Sequence, residues 1–137
     1  MKSSNTIRTA PVILAFEAST KQLSVAVYMN GSVLAMQKIE APFGQAAELV
    51  PLAIRTLADV GVEFSSLSHV AAGCGPGSFT GLRVSLAAAK GVCLAWDIIG
   101  LGISGLEALA FSSSGVLSGL PVLCFADRRR GNVYARL

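Results

Sequence analysis

The order of elements read along the chain, β-β-β-α-β-α-β, predicts an α/β domain: a mixed sheet with helices on its faces. Three observations carry that prediction. Asn30-Gly31 between two β-rich runs is a strong hairpin signal. Residues 70–95 pass from a buried apolar run through a glycine turn into a small-residue helix. Residues 45–60 show helical spacing of Leu49, Ile54, Leu57 and Val60.

Taken in order, residues 1–11 read as a flexible lead-in, because Glu17 interrupts the apolar run before it can act as a signal segment. Residues 12–16 and 22–29 are two strands with a turn over 17–21, and Asn30-Gly31 leads into a third strand over 32–39. In the helix over 45–60, Pro51 predicts a kink or a late start, and Gly61 a stop. Apolar residues cover more of this helix than one stripe, so one face packs on the sheet and another on something else. Ile98 opens a short strand, residues 98–101, and residues 104–111 form a helix with Ser104 and Glu107 as a capping box. The Ser/Gly-rich stretch 112–119 marks a domain boundary. Residues 121–126 and 133–137 are then two strands joined across an arginine turn. The expected domains are therefore 12–111, with 112–137 as linker and the beginning of a second similar domain.

Composition limits the function classes. Hydrophobic residues make up 53% of the 137 and charged ones 14%, against roughly 25% charged in an average soluble domain. That shortage predicts apolar surface meant for a partner. The net charge of +3 includes Arg128, Arg129 and Arg130, which read as a solvated hairpin tip; direct nucleic-acid binding is not expected. Lys90 and Asp97 break the best apolar stretch, so no membrane helix is expected. Cys74, Cys93 and Cys124 lie in apolar surroundings, as reduced core thiols of a cytoplasmic protein do.

The glycine turn holds Gly75, Pro76, Gly77, Ser78, Phe79, Thr80 and Gly81, followed by Arg83. Backbone N–H groups at a helix N-terminus suit an anion. The spacing fits neither standard phosphate loop, however: the third glycine comes one residue late for G-x-G-x-x-G, and Leu82-Arg83 stands where a Walker loop needs Lys-Ser/Thr. The other reading is a structural corner, with Gly75 and Gly77 turning the chain and Thr80 capping the helix. Within that helix Ala87, Gly91 and Ala95 recur at i, i+4 beside Ala88, a ridge over which another helix can approach closely. It packs on its own sheet or on a partner. The single histidine, His69, excludes a paired-histidine metal site, and no serine or cysteine sits in a recognisable nucleophile motif. No catalytic residue and no metal ligand is assigned.

ILAFEAST, HVAAGCGPGSFTGLRVSLAAAKG and FADRRRGNVYA, in that order, resemble the TsaB (YeaZ) family, over residues 13–134. GPGSFTGLR followed by the small-residue helix is the most specific segment, and D-x-R-x-G-x-V-Y at Asp127 to Tyr134 is a second anchor. The resemblance implies an actin-like, ribonuclease H-like fold and a non-catalytic subunit of the machinery that makes tRNA threonylcarbamoyladenosine. It implies pairing with TsaD, support of the ATPase TsaE and tRNA contact through the complex only, while the exposed apolar helices predict a homodimer when alone. The helices after the hairpin and after the glycine turn supply the dimerisation surface in the family, which points to Leu49, Ala53, Leu57, Ala87, Ala88, Gly91 and Ala95. In actin-like ATPases the first hairpin holds phosphate; here Glu17, Ser19 and Thr20 form a degenerate version, with glutamate for aspartate and no glycine. No tightly bound cofactor is expected, and ATP with magnesium only at the level of the complex. An independent ATPase or phosphotransferase is the alternative. Gln45 and Ala47 also depart from the histidine and glutamate frequent at those positions, and family chains continue well past this length.

Overall fold

A computed structural model describes residues 10–41, 43–114, 121–129 and 131–137. The elements are β1 (Val12–Glu17), β2 (Gln22–Met29), β3 (Ser32–Glu40), α1 (Gln45–Ala58), a 3-10 turn at Phe64–Ser66, β4 (His69–Gly73), α2 (Phe79–Trp96), β5 (Ile99–Ile103), α3 (Gly105–Ser114), β6 (Cys124–Arg129) and β7 (Asn132–Arg136). The first five strands form one sheet in the order β3-β2-β1-β4-β5, and β6 and β7 form a separate two-stranded sheet. β1 is antiparallel to β2 and parallel to β4, which in turn is parallel to β5. The mixed sheet is the one the element order predicts.

The hairpin turn between β2 and β3 uses positive φ at both Asn30 (53°) and Gly31 (82°), matching the twist of the strands it joins. Alternation then decides the faces. Leu14 and Phe16 of β1, Leu23, Val25 and Val27 of β2, and Val70 and Ala72 of β4 are buried on one side of the sheet. Leu49, Leu52, Ala53 and Leu57 of α1 close over them, each leucine contributing about 1.5–3 kcal/mol. Thr56, buried on the same stripe, donates its hydroxyl to the Leu52 carbonyl oxygen at 2.8 Å. α1 runs through Pro51 from Gln45 onward, so the helix starts early and the proline lies on its exposed side.

α2 crosses the same face over β4 and β5, and α3 lies on the other face. β5 begins one residue later than expected and runs on to Ile103, while α3 continues into the serine stretch as far as Ser114. The three thiols are free, as expected, but only Cys124 is buried: Cys93 is half-buried, and Cys74, at the end of β4, is exposed. Residues 115–120 of the expected linker, and Arg130 of the arginine turn, lie outside the described residues. No described helix is long and apolar enough to cross a membrane.

Candidate partner-binding face and the glycine corner

β4, buried from Val70 to Gly73, delivers the chain into the glycine turn. The Cys74 N–H donates to the Ile103 carbonyl at 2.8 Å, and the Gly75 carbonyl accepts from Gly105 N–H at 2.8 Å. The turn is thus tied to both ends of the β5–α3 connection. Gly75 has φ of 91°, a conformation glycine adopts without strain. Gly77 lies directly on Ser19, and the Ser78 N–H donates to the Ser19 carbonyl at 2.7 Å. Gly81 faces the Ala18 carbonyl so closely that any β-carbon would overlap it.

Ser78, not Thr80, caps α2: its hydroxyl accepts from the Gly81 N–H at 3.2 Å, and its carbonyl accepts from Leu82 N–H at 2.9 Å. The helix accordingly begins at Phe79, and Thr80 is inside it. Two N–H groups that an anion would need, those of Ser78 and Gly81, are already taken by protein oxygens. The Arg83 guanidinium stacks over Phe79, 4.7 Å from the ring centroid.

The first hairpin is closed by its own side chains. Glu17 Oε1 accepts from the Ser19 N–H at 2.5 Å, and Gly73 packs against the same carboxylate. Thr20 Oγ1 accepts from Gln22 N–H at 3.1 Å. Gln45 Nε2 donates to the Thr20 carbonyl at 2.9 Å and so staples the start of α1 to the hairpin, a contact that sequence reasoning flagged only as a departure. Beside these groups a cleft of about 1010 Å³ is lined by Thr20, Lys21, Gln45, Thr80, Asp127 and Tyr134, which brings the β6–β7 hairpin next to the glycine corner. The His69 Nδ1 lies 2.9 Å from Ser68 Oγ, whose hydroxyl in turn bridges the Val12 backbone.

The expected partner-binding residues divide in two. Leu49, Ala53 and Leu57 are buried to 2% exposure or less, so they belong to the core and not to a surface. Their i, i+4, i+8 spacing is one stripe, and the sheet takes it because it is the richest in leucine. Ala87, Gly91 and Ala95 are exposed on α2, with Ala88 half-buried beside them. Among the described residues a β-carbon on Gly91 would meet nothing within 4 Å, so their packing does not require a glycine there.

The large exposed apolar residues of α1 are instead Val50 and Ile54, an i, i+4 pair that the same pattern contained. With Phe79, Arg83 and Ala87 of α2, Val50 lines a groove of about 360 Å³ between the two helices. Farther along α2, Leu94 is 84% exposed and Trp96 half-exposed. This is an apolar two-helix surface of the kind that marks an interaction site.

Residues 44–136 match the family model described as "TsaD: tRNA N6-adenosine threonylcarbamoyltransferase". The chain is 31% identical over 122 residues to the tRNA threonylcarbamoyladenosine biosynthesis protein TsaB of Escherichia coli, covering 89% of this chain and 52% of that protein. The chain belongs to the TsaB (YeaZ) family. The Bacillus subtilis TsaB is 30% identical over 128 residues, 91% of this chain and 54% of the relative. The solved structure of YeaZ from Pseudomonas aeruginosa superposes with a TM-score of 0.80 at 30% identity, covering 91% of this chain and 58% of that one. This chain therefore spans about half the length of the curated TsaB proteins it matches. The five-stranded mixed sheet with flanking helices is the architecture of this family, and the actin-like fold is consistent with it.

Proposed function

We propose that this chain acts in tRNA N6-threonylcarbamoyladenosine synthesis as a non-catalytic dimerisation subunit that pairs with TsaD through α2 and the outer side of α1. The observation that carries the reading is Gly91. A glycine inside a helix costs about 0.5–1 kcal/mol relative to alanine, and among the described residues no neighbour calls for it. A second helix crossing at Ala87, Gly91 and Ala95 accounts for it, since small residues let backbones approach. The names of the TsaB relatives supply the pathway, and the TsaD family match is in keeping with a related partner. On this reading the chain works in the cytoplasm, forms a homodimer through the same face when alone, supports TsaE within the complex, and meets tRNA only through the complex. The glycine corner serves as the structural support of α2. Mixing the chain with TsaD should give a complex by gel filtration, lost on Gly91→Leu and Ala88→Arg; survival of the complex in both would overturn the assignment.

A second reading, an independent ATPase or phosphotransferase, is favoured by the cleft that Thr20, Lys21 and Asp127 share. Against it stands Glu17, whose carboxylate occupies the Ser19 N–H that a phosphate would use. ATP with magnesium then belongs to the assembled complex, and this chain holds no cofactor tightly. Saturable micromolar ATP binding by the chain alone, lost on Lys21→Ala, would establish the second reading instead.

A further inference from the structure

The charged side chains of α2 are Arg83 and Lys90, both cations, and no acid stands in the helix before Asp97 at its C-cap. Their seven-residue spacing is close to two turns, which sets them about 10 Å apart on one side of the helix. Ala87 lies between them and Leu94 one turn beyond, and all four are exposed. This stripe is opposite Ser85 and Ala89, which are buried.

Among the described residues neither cation meets a carboxylate, and the ion pair there joins Arg136 to Glu107. Arg83 lies instead over the Phe79 ring, 4.7 Å from its centroid, in the wall of the groove of about 360 Å³ between α1 and α2. α1 supplies no counter-charge to that groove. Its charged residues, Glu48 and Arg55, fall about 100° and about 120° round the helix from the buried Leu49, on the side away from Val50 and the groove.

These charges bear on which helix the ridge accepts. A two-fold axis makes an interface self-complementary, so each contact is made twice. If α2 crosses its own copy antiparallel at Ala87, near the midpoint between the cations, Arg83 of each copy comes level with Lys90 of the other. If it crosses in parallel, each cation meets its own copy. Both arrangements bring like charges onto an apolar surface, where they are screened less than in water and cost affinity. A helix with carboxylates at the same two levels reverses the sign of both contacts. Arg83, already held against Phe79, gives up little freedom in pairing.

We propose that Arg83 and Lys90 select the occupant of α2: a partner helix presenting carboxylates about two turns apart, in preference to a second copy of this chain. The proposal rests on the reading of α2 as the partner-binding face and names the chemistry that face requires. The homodimer is then the weaker assembly, and the carboxylate-bearing partner displaces it.

Calorimetry with TsaD and sedimentation of the chain alone, each at about 0.05 M and about 0.5 M salt, test the selection. TsaD should bind at least about tenfold more weakly at the higher salt, while the homodimer tightens. The double variant Arg83→Gln/Lys90→Gln should bind TsaD at least about tenfold more weakly than the parent at low salt, self-associate more tightly, and lose most of the salt dependence of both assemblies. Lys38→Gln, cross-strand from Ser24 on the opposite face of the sheet, removes a charge elsewhere and should alter neither. With no TsaD present, the parent mixed with Arg83→Glu/Lys90→Glu should form a one-to-one pair tighter than either homodimer. Equal TsaD affinity of the parent and the double glutamine variant overturns the proposal; if Gly91→Leu still weakens binding, the α2 reading survives that result, and if it does not, both fall. A parent homodimer that loosens as salt rises also overturns the selection.

Discussion

Gly81 meets the carbonyl oxygen of Ala18 across the junction between the first hairpin and α2, leaving no room for a side chain. The backbone of α2 is therefore seated on the hairpin turn itself. Gly81→Ala must push the two apart, which is overpacking against backbone and costs about 3 kcal/mol. Urea denaturation would check this, and an unchanged midpoint would contradict the seating.

Gly91 should behave in the opposite sense. Its surroundings are open, so Gly91→Ala gains helix propensity and raises stability by about 0.5–1 kcal/mol. Thermal melts of Gly81→Ala and Gly91→Ala, made side by side, should move in opposite directions.

Capping separates two neighbouring hydroxyls. Ser78→Ala removes the acceptor for the Gly81 N–H and should cost about 1 kcal/mol. Thr80→Ala, inside the helix, should stay within about 0.5 kcal/mol of the parent. Denaturation midpoints read both.

Arg136 and Glu107 form an ion pair at 2.6 Å that links β7 to α3, with side chains 56% and 50% exposed. An exposed pair of this kind is worth less than about 1 kcal/mol, so Arg136→Ala should barely shift the melting temperature, and less at high salt. A large loss would mean that the pair holds the hairpin in place.

Much of this fold is written in local patterns. Asn30-Gly31 names its own turn, and the alternation of Leu23, Val25 and Val27 names the buried face. The continuation of β5 past Leu101 was hidden because Gly102 looks like a strand breaker, whereas its missing side chain makes room for the Cys74 thiol, as that of Gly100 does for Cys93 of α2. The side of α1 that meets solvent was equally hidden: apolar residues surround the helix, and only the sheet decides that Leu49, Ala53 and Leu57 go inward while Val50 and Ile54 stay out. The glycine corner was legible as a turn, but its contacts with Ala18 and Ser19 join segments about sixty residues apart in sequence, which no local spacing encodes. Ser78 and Thr80 were equivalent candidates for the cap until the backbone bend at Ser78, φ −58° and ψ 124°, set the start of the helix.

Whether α2 is a surface for a partner, and not only a wall of the core, is tested most directly by calorimetric affinity for TsaD. The parent chain, Gly91→Leu and Leu101→Glu are compared, each first shown to be folded. Gly91→Leu should weaken binding by at least about a hundredfold, as a bulky side chain at the centre of a close helix crossing does, while Leu101→Glu leaves it unchanged. Equal affinity of the parent and Gly91→Leu would contradict a partner seated on α2.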